Sequence, residues 1–366
     1  MTHPALHTAL CDLVGVRYPI VQTGMGWVAG PRLVSSTANA GGLGILASAT
    51  MDLAELRAAI AEVKSRTSAP FGVNLRADAP DAFQRCDLLI AEGVRVASFA
   101  LAPRADLISR LKAAGVVVIP SIGARRHAEK VAALGADAVL VQGGEGGGHT
   151  GPVATSLLLP QVVDAVDIPV IAAGGFFDGR GLVAALAYGA AGVAMGTRFL
   201  LTSDSTVPDA VKQQYLARDV TGTVVTTKVD GLPHRVLRTE LVEGLESSGA
   251  VLGLWRALRN AVAFRRLSGT PWRAMVTEGL AMRRNHGLSW SQVLMAANTP
   301  MLLRAAMVEG NPDLGVMSSG QVAGVIDDLP SVAVLIERIV AEAESTLRRL
   351  SSASQMLQPS EDDRSG

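Results

Sequence analysis

The sequence predicts an α/β fold, a (β/α)8 TIM barrel with a helical lid subdomain inserted into it. Eight short apolar, β-branched runs recur between residues 19 and 195, with helical segments between them. Their starts lie about 22 to 32 residues apart, which is room for a strand, a helix and two short loops. The composition is 49% hydrophobic but only 4% aromatic. Such an Ala-, Val-, Leu- and Ile-rich core favours buried parallel strands under helices over a β-sandwich.

Eight βα units in series indicate a barrel of typical size. The predicted strands begin near Pro19, Leu43, Phe71, Val94, Val116, Ala138, Val170 and Gly192. Of the helices between them, Leu53–Lys64 carries apolar residues at spacings of three and four. Ala105–Ala114 and His127–Leu134 each stop at a glycine, as helices commonly do. We interpret these helices as packing elements and assign them no chemistry.

The βα repeat ends at Leu201, and this change sets the predicted domain boundaries. Residues 1–204 and 317–350 are assigned to the barrel. Residues 205–316 are expected to form a mostly helical subdomain, beside or over the mouth of the barrel. Within the second barrel segment, Val332–Leu350 is predicted as a closing amphipathic helix. Residues 351–366 are Ser-rich and polar, which is typical of a disordered tail.

Charge and cysteine usage exclude several classes of partner. The 33 basic and 33 acidic residues cancel, which argues against nucleic acid as the main partner. Cys11 and Cys86 belong to no Cys-x-x-Cys or metal-type cluster, and they fit a reducing cytosol. Met1–Asp12 lacks the pattern of a signal peptide. The longest uncharged run, Gly181–Thr197, is interrupted by glycines and is unlike a membrane span. We therefore expect a cytoplasmic protein without a metal, nucleic-acid or membrane partner.

A glycine-rich loop is the strongest functional signal in the chain. Residues 143–151 read Gly-Gly-Glu-Gly-Gly-Gly-His-Thr-Gly and directly follow the sixth predicted strand. Glycine loses more conformational freedom on folding than any other residue, so a cluster indicates that something must approach the main chain closely. The carboxyl ends of parallel strands are where such folds bind ligands. His149 is therefore the candidate catalytic residue, with a flexible loop carrying an incidental histidine as the alternative. Glu145 is a weaker candidate, and the favoured alternative is that it caps or hydrogen-bonds its own loop.

A pair of glycine turns predicts a phosphate site. Gly174 and Gly175 follow the seventh predicted strand, and Gly196 and Thr197 follow the eighth. Barrels commonly bind a phosphate in the loops after these two strands, through backbone N–H groups and a helix N-terminus. Glycines that merely end strands for packing reasons are the alternative.

The remaining strand ends suggest a planar heterocycle. The chain has neither a Gly-x-Gly-x-x-Gly behind its first strand nor a P-loop motif. Instead, Gly24 and Met25 follow the first strand, where a methionine can lie against a flat ring; core packing of Met25 and Trp27 is the alternative. Asn74 and Gln142 end the third and sixth strands and offer neutral amides. A phosphate grip, a platform and amide partners together suggest FMN.

Several motifs resemble the nitronate monooxygenase (2-nitropropane dioxygenase) family of FMN-binding TIM barrels. They are Gln-Thr-Gly-Met-Gly-Trp-Val-Ala (22–29), Ala-Gly-Gly-Leu-Gly-Ile (40–45), Phe-Gly-Val-Asn (71–74), Gly-Gly-His-x-Gly (147–151), Ile-Ala-Ala-Gly-Gly (171–175), Gly-Thr-Arg-Phe (196–199) and Ser-Gly-Gln-Val-Ala-Gly (319–324). The resemblance implies an FMN barrel with a small helical domain and His149 as the catalytic residue. By position it implies FMN contacts from Gly24, Met25, Asn74, Gln142, Gly174, Gly175, Gly196, Thr197 and, near the isoalloxazine edge, Gln321.

Within that family, the chain departs from the Ala-Pro-Met of nitronate-oxidising members. Its Thr-Gly-Met-Gly-Trp (23–27) is closer to the flavin-dependent enoyl-acyl carrier protein reductases of the family. Three other stretches resemble an actinobacterial branch associated with steroid ring degradation. They are Phe-Phe-Asp-Gly-Arg-Gly (176–181), Thr-Ser-Asp-Ser-Thr-Val-Pro (202–208) and Pro-His-Arg-Val-Leu-Arg-Thr (233–239). This implies a bicyclic CoA thioester substrate and NAD(H) or NADP(H) as electron partner. Oxidation of alkyl nitronates with O2 is the alternative among enzymes. A non-catalytic FMN-binding or regulatory barrel is the alternative from another class, and His149 on its glycine loop argues against it.

The implied chemistry suits an imidazole on a glycine loop. A thioester acidifies the C–H beside it, and His149 could exchange that proton while flavin N5 exchanges a hydride. His234 is a candidate lid contact. The arginines of the insertion either form a solvated face or meet the phosphates of a nucleotide-bearing ligand. They are Arg256, Arg259, Arg265, Arg266, Arg273, Arg283 and Arg284. The substrate, the direction, the choice of nicotinamide nucleotide and the oligomeric state, with a homodimer among the options, stay open.

Overall fold

Eight parallel strands close into a barrel in the computed structural model, which describes residues 3–247 and 299–356. The strands are β1 (Ile20–Gln22), β2 (Leu43–Ala47), β3 (Gly72–Arg76), β4 (Val96–Ala100), β5 (Val117–Ile122), β6 (Val139–Gln142), β8 (Val170–Ala173) and β9 (Gly192–Met195). The label β7 belongs to a two-residue strand outside the barrel, Gly148–His149. Because β9 pairs back onto β1, the sheet is closed. The TIM-barrel prediction is confirmed, and each strand begins within two residues of its predicted start.

One helix, α1 (Ala9–Val14), precedes β1, and the others follow the strands around the outside of the barrel. These others are α2 (Pro31–Asn39), α3 (Leu53–Arg66), α4 (Ala82–Ala91), α5 (Ala105–Ala113), α6 (Arg125–Ala133), α7 (Thr155–Val163), α8 (Gly179–Ala187) and the single turn α9 (Thr197–Leu200). The start of α3 is set by a capping box, in which Asp52 and Glu55 each accept a hydrogen bond from the other's backbone N–H. Its predicted apolar stripe is buried at Leu56, Ile60 and Val63.

The interior of the barrel is a packed core. It is filled by side chains from alternating strand positions, among them Val21, Leu43, Ile45, Val96, Val117, Ile119, Leu140 and Ile171. Three residues of α1, Leu10, Cys11 and Val14, belong to the same buried cluster. Both cysteines, Cys11 and Cys86, are buried and free. Ligand chemistry is therefore confined to the mouth at the carboxyl ends of the strands.

After β9 the chain leaves the barrel pattern, as the end of the βα repeat predicts. The described elements are α10 (Asp209–Leu216), β10 (Thr223–Thr226), β11 (His234–Leu237), α11 (Glu240–Glu246) and α12 (Thr299–Met307). Besides its helices, this part of the predicted lid contains an antiparallel sheet in the order β10-β11-β7, which the sequence did not indicate. The seven arginines from Arg256 to Arg284 lie outside the described residues.

The chain returns to the barrel through a 3₁₀ turn, Gln321–Val325, and a long closing helix, α13 (Val332–Met356). This helix packs mainly against α8 and also against α2. It continues past Leu350 to Met356, so the first residues of the predicted tail are helical, and residues 357–366 lie outside the described part. None of the helices in the described ranges is long and apolar enough to cross a membrane.

Candidate active site

The glycine-rich loop, residues 143–151, is held in place by its neighbours. The side-chain amide of Gln142, at the end of β6, donates to the backbone oxygens of Gly147 (3.3 Å) and His149 (2.9 Å). A Cβ atom on Gly147 would come within 2.5 Å of the backbone nitrogen of Gly320. The loop therefore needs glycine for a close main-chain approach, and His149 sits on an ordered support.

A short β-pairing brings a second histidine to the loop. Strand β7 pairs antiparallel with β11, so that His149 stands opposite His234 and Gly148 opposite Arg235. Side chains that are directly opposite in an antiparallel pair project from the same face. The two imidazole rings accordingly lie with centroids 4.8 Å apart and planes tilted by 46°.

Both imidazoles bond to one buried carboxylate oxygen. Nε2 of His149 lies 2.6 Å from Oδ2 of Asp230, and Nδ1 of His234 lies 3.2 Å from the same atom. The other oxygen, Oδ1, accepts from the backbone N–H of Leu232 at 3.1 Å. The side chains of Asp230 and His234 are only 6% and 3% exposed, whereas that of His149 is 59% exposed. The cluster thus presents one imidazole to the solvent and buries the groups behind it.

The electrostatics of Asp230 follow from this arrangement. Burial by itself raises the pKa of Asp230, because it penalises the charged form. The hydrogen bonds from His149 and His234 outweigh burial and hold the pKa of the carboxyl well below its usual range. Asp230 is therefore ionised at neutral pH and acts only as an acceptor.

The acceptor character of Asp230 assigns the protons of the network. Nε2 of His149 must donate to it, which leaves Nδ1 as the unprotonated, basic nitrogen of the neutral ring. Nδ1 of His234 must donate as well, so Nε2 of His234 accepts from the hydroxyl of Ser318 at 2.7 Å. Among the residues that the structure describes, each ring nitrogen of the two histidines then has a partner except Nδ1 of His149, which can accept a proton from a ligand.

The three side chains could also serve as metal ligands, since their ligand atoms all lie within 4.8 Å of one another. Nitrogen and oxygen ligands at about 2.0–2.2 Å from a tetrahedral zinc ion lie about 3.3 Å or more apart. The separation of 2.6 Å between His149 and Asp230 is shorter than this and typical of a charge-assisted hydrogen bond. The geometry is that of a hydrogen-bonded acid–base cluster.

The carboxylate of Glu145 makes its hydrogen bonds at the start of α7, outside its own loop. It accepts from the backbone N–H of Thr155 (3.0 and 3.2 Å) and from the Thr155 hydroxyl (2.7 Å), at the first residue of α7. The backbone oxygen of Glu145 accepts from the N–H of Gln321 at 3.0 Å. Glu145 therefore joins the loop to α7 and to the 3₁₀ turn.

The two predicted glycine turns offer backbone donors. Gly174 and Gly175 have φ values of +91° and +86°, in the left-handed region that favours glycine. Within residues 3–247 and 299–356, the backbone N–H groups of both glycines and of Gly196 and Thr197 have no hydrogen-bond acceptor. The Thr197 hydroxyl oxygen accepts from the N–H of Gly320 (2.9 Å), which places this turn beside the glycine-rich loop.

The other predicted contact residues lie around the same mouth. A Cβ on Gly24 would collide with the side chain of Asn74, so these two strand ends are in direct contact. A Cβ on Gly196 would stand 3.3 Å from Sδ of Met25. Together with the contacts of Gln142 and Thr197, the structure gathers the predicted set at the carboxyl ends of β1, β3, β6, β8 and β9.

A pocket of about 670 Å3 lies beside the loop, on the other face of the small sheet. Val225 stands opposite Arg235 in the β10–β11 pair, and both line the pocket. The neighbouring position on β11, His234, faces the cluster instead. The Arg235 guanidinium donates to the backbone oxygen of Gly144 (2.9 and 3.1 Å) and to the hydroxyl of Thr223 (2.9 Å). Arg235 thereby links the β10–β11 hairpin to the glycine-rich loop, while the two imidazoles lie on the opposite face of the sheet.

Sequence reasoning missed Asp230 and Ser318 and treated His234 as a lid contact. Asp230 precedes a glycine, and Asp-Gly is a common turn signal that gives no hint of a buried hydrogen-bonded cluster. Ser318 lies just before a matched motif and carries no spacing signal. The β-branched run Thr-Val-Val-Thr (223–226) is a pattern that could have indicated a strand here.

The chain is similar to known proteins by family model, by sequence and by structure, and the three comparisons agree on one family of enzymes. A family model described as nitronate monooxygenase matches residues 7–342. The (3aS,4S,5R,7aS)-5-hydroxy-7a-methyl-1-oxo-octahydro-1H-indene-4-carboxyl-CoA dehydrogenase of Mycobacterium tuberculosis is 69% identical, over 95% of this chain and 99% of that protein. The protein of the same name from Rhodococcus jostii is 68% identical, over 92% of this chain and 96% of that protein. Among solved structures, FabK from Thermotoga maritima has a TM-score of 0.77 and 35% identity, over 94% of this chain and 99% of that one.

The buried carboxylate predicts a pH-dependent stability. Replacing Asp230 by Asn should lower the free energy of unfolding at pH 7, and the loss should shrink below about pH 4. Because the folded-state pKa of Asp230 lies below the usual value of about 3.9, its ionised form stabilises the fold above that pH. This contribution disappears as the pH falls through the folded-state pKa. Urea unfolding of both proteins between pH 7 and about pH 3 measures the effect. An equal loss at every pH would assign it to packing.

Proposed function

The chain belongs to the nitronate monooxygenase family of oxidoreductases, and on this premise we propose an FMN-dependent activity on a CoA thioester. The enzyme introduces or removes a double bond next to the thioester of a bicyclic, steroid-derived CoA ester, with NAD(H) or NADP(H) as electron partner. The observation that carries the proposal is His149, an exposed imidazole at the barrel mouth whose Nδ1 has no partner among the described residues. The name shared by the relatives from Mycobacterium tuberculosis and Rhodococcus jostii supports the substrate class, since it describes a hydroindene ring carrying a carboxyl-CoA group.

The residues at the mouth fit FMN. A phosphate needs donors without bulky side chains, and Gly174, Gly175, Gly196 and Thr197 supply backbone N–H groups that no described residue occupies. A Cβ on Gly175 would meet no atom closer than 3.8 Å, so there is space beside this turn. Gly24, Met25, Asn74, Gln142 and Gln321 would contact the ring. When bound, the flavin supplies a two-electron hydride acceptor or donor.

His149 supplies the proton chemistry in this proposal. The thioester carbonyl acidifies the adjacent C–H bond, and Nδ1 of His149 is the nitrogen that can take this proton or return it. The glycines beside His149 carry no side chain that would keep a flat substrate away from the imidazole. Because Nε2 is bonded to Asp230, the ring meets the substrate in a defined orientation.

We propose that residues 205–316 act as a lid over the mouth. The support comes from their described part, in which β11 pairs with β7 of the glycine-rich loop and Arg235 bonds to Gly144. The hairpin thus contacts the loop that carries His149. Phosphate recognition by the arginines between Arg256 and Arg284 stays a prediction from the sequence.

An anaerobic titration tests the function directly. The protein should purify yellow, and its flavin absorbance should bleach with the hydroxylated bicyclic CoA ester or with NADH or NADPH. Flavin reduced by the nicotinamide should recover its colour when the unsaturated CoA ester is added. Bleaching by an alkyl nitronate alone, with turnover in O2 and no response to CoA esters, would establish the alternative activity and reject the proposal. A protein without flavin would reject it as well.

The phosphate assignment predicts that a negative charge at Gly175 releases FMN. Gly175→Asp and Gly175→Asn form a matched pair, because both side chains tolerate a left-handed backbone and only one is charged. FMN should bind at least roughly tenfold more weakly to the Asp variant than to the Asn variant, through repulsion of the phosphate. Equilibrium dialysis of flavin and thermal unfolding of both apoproteins separate binding from folding. Equal affinity in the two variants would place the phosphate elsewhere.

The proton-transfer role predicts that His149→Ala keeps FMN and loses turnover. General acid–base groups contribute about 10²- to 10⁴-fold, so kcat should fall within that range. His127, exposed on α6, provides the control, and His127→Ala should turn over like the parent protein. Steady-state kinetics with the CoA ester, beside the flavin spectrum of each variant, gives both quantities. A His149→Ala enzyme within a few-fold of the parent rate would show that the histidine only packs.

A further inference from the structure

We propose that Asp230 and His234 are positioning residues that fix His149 in the tautomer whose Nδ1 is basic, with Ser318 holding His234 in turn. The inference rests on the proposed function for the step that His149 performs, and it adds the groups behind the imidazole. None of these three residues needs to touch the substrate. They act through the orientation and proton content of one ring.

The first argument is geometric. His149 is held at two points, by the backbone pairing of β7 with β11 and by the bond of 2.6 Å from its Nε2 to Asp230. Rotation of the ring would break the second contact and leave a buried carboxylate with fewer donors. Such a loss is costly, because a buried charge needs its hydrogen bonds. The ring is thereby confined to the orientation in which Nδ1 is the unpaired nitrogen.

The second argument concerns charge. The titratable groups that act on Asp230 within the described ranges are the two imidazoles, so the cluster carries one negative charge when both rings are neutral. A proton arriving at Nδ1 of His149 completes an ion pair with a buried counter-charge. Arg235 and Glu145 lie at the pocket on the other face of the sheet. Asp230 therefore stabilises the imidazolium that forms when the proton is transferred.

The third argument explains why a second histidine stands behind Asp230. His234 uses both ring nitrogens, one to donate to Asp230 (3.2 Å) and one to accept from the Ser318 hydroxyl (2.7 Å). Ser318 lies next to the backbone segment against which Gly147 packs. An apolar residue at position 234 would fill the space but would withdraw a donor from the carboxylate. His234 thus keeps Asp230 aimed at His149.

The proton balance of the step is simple. One proton passes from the carbon beside the thioester to Nδ1 of His149, and the flavin of the proposed function, when bound, would accept the hydride from the neighbouring carbon. The proton on Nε2 stays on Nε2, and Asp230 stays ionised throughout. In the reverse direction the same nitrogen returns the proton.

The test compares Asp230→Asn with Ser318→Ala and with a control, Asp204→Asn. Asp204 is a carboxylate of the barrel that accepts from Ser36 and from the N–H of Val332, remote in sequence from this cluster. An Asn at position 230 points its amide NH2 either at the two ring nitrogens or at the backbone N–H of Leu232, so at least one of the three donors loses its acceptor. We expect kcat to fall by about 10²- to 10⁴-fold in this variant, with FMN content and KM for the CoA ester changed little. Ser318→Ala should lower kcat by roughly tenfold or less, and the control should match the parent.

Two further readouts distinguish positioning from a general structural role. The acidic limb of the profile of kcat against pH should move to lower pH in Asp230→Asn, because the imidazolium loses its counter-charge. Nitrogen-15 NMR of the FMN-loaded protein should show the pyridine-type nitrogen of His149 at Nδ1 in the parent and at Nε2, or divided, in the variant. The NMR readout needs no substrate. Should Asp230→Asn fail to fold, Ser318→Ala must still shift the pH profile.

An unchanged tautomer and pH profile in a folded Asp230→Asn enzyme would overturn the inference. So would a Ser318→Ala variant identical to the parent in both readouts when the Asn variant cannot be obtained. Failure of the proposed function is recognised separately, because the parent protein itself would then show no turnover of CoA esters. A changed tautomer without any turnover in the parent would still establish the positioning of His149.

Discussion

A buried carboxylate, Asp230, has to find its hydrogen-bond donors inside the protein, and much of the mouth of this barrel is arranged around that requirement. Two imidazoles and a backbone N–H supply the donors. To deliver them, the glycine-rich loop must run close to β11 and the hairpin must fold back on the barrel. The segment that contains Ser318 must pack against His234. One buried charge thereby connects three parts of the chain that are far apart in sequence.

The barrel itself was predictable because its signals are local. Each strand is a short β-branched run, and each helix has its own apolar stripe or cap. The interval between successive strands leaves room for one helix and two short loops, so strands and helices must alternate. The glycine turns after β8 and β9 are equally local, since a left-handed backbone at Gly174 and Gly175 demands glycine wherever the rest of the chain goes. His149 stood out because of its neighbours in sequence. These features depend on residues close to one another along the chain.

The support of His149 was not predictable for the opposite reason. Asp230 is 81 positions away from it, and nothing near Asp230 resembles a catalytic motif. Strand β7 consists of two residues in a glycine-rich stretch, where propensity favours a loop. It exists only because β11 lies alongside. Pairings of this kind are decided by tertiary packing. The sequence pattern therefore indicates His149 but not Asp230, His234 and Ser318, which support it.

The small three-stranded sheet separates two kinds of task. One face carries His149 and His234 toward Asp230, and the other face presents Val225 and Arg235 to the pocket. His234 and Arg235, neighbours on β11, therefore meet different requirements. A substitution at Val225 would reshape the pocket and leave the hydrogen bonds of the two imidazoles in place, whereas one at Arg235 would also remove the bonds to Gly144. The shape of the pocket and the setting of the histidines could thus be altered separately, although both depend on the same small sheet.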